Sequence, residues 1–163
     1  MISFDHDGKR FKYRVAGLCI HDGHLLLTKA EPDDYWILPG GRVEISEDTR
    51  TTLRRELLEE TGYEAEIKDL LLIVENFFHL DETDYHEPAF IYAISPTDPA
   101  ILNNTWTHQT IDGDVGIELR WFELDRLEAV NFRPAFLKPL LGDPPKTPQH
   151  MIVREPRQRE ADG

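Results

Sequence analysis

The sequence predicts an α+β fold, a mixed β-sheet covered by helices. Three observations predict it. Apolar runs rich in β-branched and aromatic residues are bounded by turn signals. One segment carries a full set of helix start and stop signals. The elements run strands, helix, strands, helix, with no internal repeat and no regular βαβ alternation. A chain of 163 residues suits one domain and leaves little room for a second. The expected division is a single domain over residues 1–142 and a tail over 143–163.

Residues 11–20 read as a strand. Asp22-Gly23 is a hairpin signal, and His24 to Thr28 returns as a second strand. Glu31 to Tyr35 is a polar loop. The short apolar run Trp36-Ile37-Leu38 stops at Pro39-Gly40-Gly41, where two glycines permit backbone geometry closed to other residues. Ser46 is the expected N-cap of the strongest helix, with Glu47 and Asp48 in its first turn. Leu53 and Leu57 form its buried stripe and Gly62 its stop, which places it at about residues 47–61. Residues 65–80 read as a strand, Asp81 to His86 as a polar turn, and Ala89 to Ile94 as a further strand. Asn103 to Gly116 is polar and read as a loop, followed by a short strand at Leu119 to Phe122. A second helix is expected over Pro134 to Leu141, with Pro139 weakening its last turn. In the tail, Met151-Ile152-Val153 offers one edge strand and the remainder reads as loose.

The chain has 31 acidic and 18 basic residues, a formal net charge of −13. Such a surface repels nucleic acid and anionic membrane, so neither is an expected partner. It also repels phosphate-bearing molecules, unless a divalent metal on clustered carboxylates supplies local positive charge. The one cysteine, Cys19, sits in an apolar run and reads as a buried hydrophobe. No signal peptide and no apolar run near the roughly 20 residues of a membrane span is evident, so a cytoplasmic setting is expected.

The chemistry is concentrated in Gly41 to Tyr63. On a helix, Glu56, Glu59 and Glu60 fall within about a third of the circumference. Crowded like charges destabilise an isolated helix, and Arg55, four residues before Glu59, relieves only part of that repulsion. A cation is the natural remedy, and carboxylate oxygens are what Mg²⁺ and Mn²⁺ prefer. The plain alternative is a solvated acidic face. Two features weigh against it. The Gly40-Gly41 turn can bring a backbone carbonyl towards the same cation, and Glu47 can pair with Arg55 and fix the loop.

These residues resemble the Nudix box, Gly-x5-Glu-x7-Arg-Glu-apolar-x-Glu-Glu-x-Gly-apolar. The matching positions are Gly41, Glu47, Arg55, Glu56, Leu57, Glu59, Glu60 and Gly62, with Tyr63 a mild departure at the last apolar place. Seven fixed identities make a chance match rarer than about one in a million. The box covers 23 of the 163 residues. Trp36-x-Leu38-Pro39-Gly40-Gly41 and the segment Glu118 to Leu124 resemble family flanks.

The resemblance implies the Nudix fold, a mixed β-sheet sandwiched between helices. It implies a pyrophosphohydrolase in which Glu56, Glu59, Glu60 and the Gly41 carbonyl bind Mg²⁺ or Mn²⁺. Glu56 is also a candidate base. Glu118 resembles the extra downstream glutamate of some members, as metal ligand or base. Arg55 and Glu47 would orient the carboxylates. The implied substrate is a nucleoside diphosphate joined to another unit, of the nucleotide, nucleotide-sugar or ADP-ribose type, split by water attack at phosphorus. Arg14, Lys29, Trp36, Arg42 and Phe78 are candidates for substrate contact. Three readings stand side by side: the hydrolase, a catalytically silent nucleotide-binding module of the same fold, and an acidic interaction protein without a metal site. The sequence leaves a homodimer open.

Overall fold

The computed structural model describes residues 1–155. Five short strands come first: β1 (Ser3–His6), β2 (Lys9–Lys12), β3 (Arg14–Leu18), β4 (Ile20–His21) and β5 (His24–Ala30). The strand expected over residues 11–20 is thus cut at Tyr13 and Cys19. Each cut has a topological cause. β2 and β3 take successive stretches of one edge of a later strand, and β3 and β4 belong to different sheets. The Asp22-Gly23 turn forms as expected, with φ of 48° and 70° matching the twist of a tight hairpin.

After β6 (Gly40–Arg42) comes the one α-helix among the described residues, α1 (Thr49–Thr61). Its cap is Asp48 and not Ser46. Asp48 accepts from the Thr51 backbone N–H at 2.9 Å, while Ser46 sits at φ 68° in the left-handed region. Ser46 therefore turns the chain into the helix, and Glu47 and Asp48 precede it instead of filling its first turn. Gly62 ends the helix in the left-handed conformation, donating to the Leu58 carbonyl. This assignment predicts opposite outcomes at two neighbouring positions. Asp48→Ala should lower the melting temperature, and Ser46→Gly should raise it by relieving the left-handed serine. Thermal melts of the two variants check it; an unchanged Asp48→Ala melt would remove Asp48 as the cap.

β7 (Ala65–Leu80) and β8 (Thr83–Pro96) form a long antiparallel hairpin closed at Asp81-Glu82, so the expected polar turn there is only two residues long. The segment read as a loop between residues 103 and 116 instead holds β9 (Thr107–Asp112), which turns at Gly113 into β10 (Val115–Glu123). Its polarity hid it: a strand exposed along much of its length has no apolar face to show. β11 (Gln149–Arg154) lies parallel to β7. The second expected helix is a 3₁₀ segment, Ala135–Leu140, because Pro139 has no N–H for an α-helical bond. Of the tail expected over 143–163, the edge strand at Met151-Ile152-Val153 is β11, and residues 156–163, expected to be loose, lie outside the described residues.

One mixed seven-stranded sheet runs β1-β2-β8-β3-β6, with β7 on the far edge of β8 and β11 outside β7. A four-stranded antiparallel sheet runs β4-β5-β10-β9. Both sheets feed two apolar clusters. Leu53 and Leu57 of α1 join Val15, Leu26, Leu119 and Trp121 in one. Leu127, Leu137 and Leu141, in or beside 3₁₀ segments, join Leu25, Leu27, Trp36 and Phe132 in the other. The sheets thus lie between α1 and a layer of 3₁₀ segments, an α+β fold with one α-helical layer where the sequence suggested two.

Candidate active site

The acidic face of α1 is graded in exposure. The Glu59 side chain is 59% exposed and the Glu56 side chain 17%. Glu60 turns inward: its Oε2 is shut off from solvent and has no hydrogen-bond partner. Burial pushes the Glu60 carboxyl up to about 8, and Arg14 counters this only in part. The charges of Glu56, Asp112 and Glu59 push the same way as burial. Glu56 is also raised, first by burial, with Arg55 opposing. Arg55 ties the face together. Its Nε donates to Glu47 Oε1 at 3.2 Å, its Nη1 donates to Glu56 Oε1 at 3.2 Å, and it lies 3.6 Å from Glu59.

The glycine turn explains how Glu56 fits. A Cβ on Gly41 would strike the Glu56 carboxyl group, so only glycine leaves room for that carboxylate against the backbone. A Cβ on Gly40 would strike the Val15 carbonyl of β3. Gly40 and Gly41 pair with Ala16 and Val15, which locks the turn to the sheet and presents it to α1.

Basic groups approach from β2, β3 and β6. Arg14 stands opposite Arg42 and donates from Nη2 to the Leu38 carbonyl at 2.7 Å. Lys12 is lowered first by burial and next by Arg42. Half-buried Glu87 of β8 is raised by burial and opposed by Arg14, Lys12 and Arg42. Lys12, Glu87 and Asp112 escaped the sequence reading. The signal for Lys12 was present, since it alternates with Arg14 along one strand face. Asp112 lay in the segment taken for a loop.

The remaining candidates have these surroundings. Glu118 is on β10 opposite Lys29, and the nearest basic group to it is Arg120, at 3.9 Å. Trp36 is 6% exposed, with Lys29 at 5.1 Å, Arg120 at 4.7 Å and the Phe122 edge against it, so its ring is engaged in packing within the fold. Lys29 is drawn into that same contact. Phe78 stacks on Tyr85 at 4.8 Å, on the sheet face that carries Glu87.

Among the described residues, no three acidic, histidine or cysteine side chains are gathered as a ready metal cage. Mg²⁺ does not need one, because it typically takes one or two carboxylates and keeps several waters. The shielded, unpartnered Glu60 oxygen, Glu56 in its glycine cradle and the exposed, Arg55-paired Glu59 are a donor set that fits a hard divalent cation.

The chain belongs to the Nudix family: residues 11–140 match the NUDIX domain. Members of the family generally use divalent metal ions. The chain is 31% identical over 127 residues to diphosphoinositol polyphosphate phosphohydrolase 2 of Rattus norvegicus, a match covering 76% of this chain and 63% of that protein. It therefore spans less than two thirds of that relative's length. Among solved structures it resembles a UDP-X diphosphatase, with a TM-score of 0.60 at 20% identity over 91% of this chain and 69% of the other. It also resembles a MutT protein from Bacillus halodurans, with a TM-score of 0.56 at 18% identity over 80% of each. These two likenesses establish the fold. No helix among the described residues is long and apolar enough to cross a membrane.

Proposed function

We propose that this chain is a Mg²⁺- or Mn²⁺-dependent pyrophosphohydrolase that splits the diphosphate linkage of a nucleoside diphosphate derivative. The observation that carries the reading is Glu60, a carboxylate driven inward beside Glu56 with one oxygen left without a partner. A buried, unpartnered carboxyl is costly to a fold and points to a functional use. Support comes from the intact box acids and from the phosphohydrolase that the chain resembles. The catalytic unit is residues 1–142.

Glu56, Glu59 and Glu60 would hold the cation, with the Gly41 backbone beside them. A divalent ion bound there would neutralise phosphate oxygens and lower the pKa of a coordinated water. Glu56 takes the proton from the attacking water, its burial having raised its basicity. The water oxygen bonds to phosphorus, the bridging P–O bond breaks, and the leaving phosphate or nucleotide carries off the electron pair. Arg55, anchored on Glu47, keeps Glu56 and Glu59 in position. Arg14 and Arg42 balance the charge of the diphosphate, so positioning and electrostatics supply most of the rate.

A hydrolysis screen over nucleoside diphosphate derivatives and diphosphoinositol polyphosphates, with and without Mg²⁺ or Mn²⁺, tests this. Product release that stops on chelation is expected. Binding without turnover for every compound would favour the silent module instead. Glu118 is the rival base, and the geometry around it sets a further prediction. Glu118→Gln should keep turnover within about tenfold of wild type, a smaller loss than removing a general base causes. A larger fall, measured at saturating substrate, would move the base to β10.

A further inference from the structure

Among the described residues, β1, β6 and β11 are the edge strands of the larger sheet, and β4 and β9 those of the smaller. An edge strand presents a row of unpaired N–H and C=O groups, and folds blunt it by shortness, charge or proline. β1, β4 and β6 have four, two and three residues. β11 has six, but it starts directly after Pro148 and ends on Arg154. β9 also has six, Thr107-His108-Gln109-Thr110-Ile111-Asp112, with no lysine, arginine or proline among them. Its carboxylate stands at the very end. β9 is therefore the long edge that none of these devices protects.

The geometry of the hairpin fixes which groups that edge offers. Gly113, at φ 60°, opens a two-residue turn, and Asp112 faces Val115 across it. In such a hairpin the closing pair exchanges both hydrogen bonds, and bonded pairs then alternate along the ladder. His108 and Thr110 thus turn their backbone groups to β10, while Thr107, Gln109 and Ile111 turn theirs outward. The side chains of these three are exposed too, that of Ile111 with the residue 74% exposed. Among the described residues, no backbone bond from another element reaches them.

A strand with outward groups at alternate positions is complementary to itself turned end for end. A two-fold axis at Gln109 sets Thr107 opposite the partner's Ile111 and gives roughly six backbone bonds between the copies. Exposed Ile111 is then covered by the other chain. The two Asp112 carboxylates fall at opposite ends of the ladder, about 20 Å apart. Charge selects this place. Two copies of net charge −13 repel each other wherever their carboxylates meet, and along β9 they need not meet. We propose that the chain forms a two-fold dimer by antiparallel pairing of β9 with β9 of a second copy, which makes one continuous sheet of the two smaller ones. The dimer is independent of what the acidic site does.

Sedimentation equilibrium of the full chain, from micromolar to millimolar protein and from low to high salt, tests this. A monomer–dimer equilibrium is expected, and salt should tighten it by screening the shared negative charge. Gln109→Pro removes an outward N–H and spares the ladder to β10. Gln109→Lys sets two ammonium groups against each other at the axis. Each should raise the dimer dissociation constant at least about tenfold. If Gln109→Pro fails to fold, Gln109→Lys decides alone, because it leaves every backbone bond in place. Gln109→Cys should cross-link two chains on oxidation, since directly opposed Cα atoms lie within disulfide reach and Cys19 is buried. A chain that stays monomeric throughout overturns the proposal. So does a dimer that survives Gln109→Lys, which would use another surface, or one that salt dissociates, which would rest on ion pairs.

Discussion

Glu60→Gln is expected to cut turnover at least about a hundredfold and, in the same protein, to raise the melting temperature measured without metal. The two effects share one cause. The Glu60 carboxyl is driven inward, burial has pushed it up to about 8, and its Oε2 has no partner. Holding that carboxyl there is a cost to the fold, because above its ordinary range the unfolded chain ionises freely while the buried group must take up a proton or stay charged out of water. Glutamine has nearly the same shape and never ionises, so that part of the cost is removed near neutral pH. The function disappears too, because an amide is a poor ligand for a hard cation. Steady-state kinetics with Mg²⁺ and calorimetric melts after chelation measure both. A variant that turns over normally, or one that melts lower, removes Glu60 from the centre of the site. Added Mg²⁺ should stabilise the wild type and leave the variant almost unmoved.

Gly40→Ala is expected to destabilise the protein by about 3 kcal/mol. The new methyl would meet the Val15 carbonyl and the Ala16 Cα, which are backbone atoms of the adjacent strand and cannot swing aside. The Gly40 φ of 159° adds to the strain. Gly8→Ala is the control. Gly8 has φ 72° but open space around its Cα, so only the left-handed penalty of about 1 kcal/mol remains. Urea unfolding of the pair checks the difference. Equal losses would mean that conformation, and not the close approach of β3 to the glycine turn, sets the cost.

The legible parts of this molecule are those in which one short stretch carries the whole message. The helix from Thr49 to Thr61, its glycine stop and its acids were readable because their spacing alone defines them. The start of that helix was misplaced, since Ser46 and Asp48 are equally good caps on paper and only the backbone at Ser46 decides between them. β9 was missed because its exposed, polar strand shows no apolar face. With it went Asp112, whose charge reaches Glu56 and Glu60. Trp36 looked available for stacking, because nothing local tells that Lys29, Arg120 and Phe122 close around it. The basic groups around Glu87 depend on which strands become neighbours, and β2 and β8 are more than 70 residues apart. Long-range pairing of that kind leaves no mark on local composition.

That same remoteness shapes how the chain is made. β7 emerges from a ribosome long before β11, whose residues Gln149–Arg154 cover Leu72–Phe77 of its outer edge through a parallel ladder. In the interval, a sixteen-residue strand offers one open rim of amides and carbonyls. Until residue 149 is made, that rim has no partner from β11, and the late strand is the one that covers it.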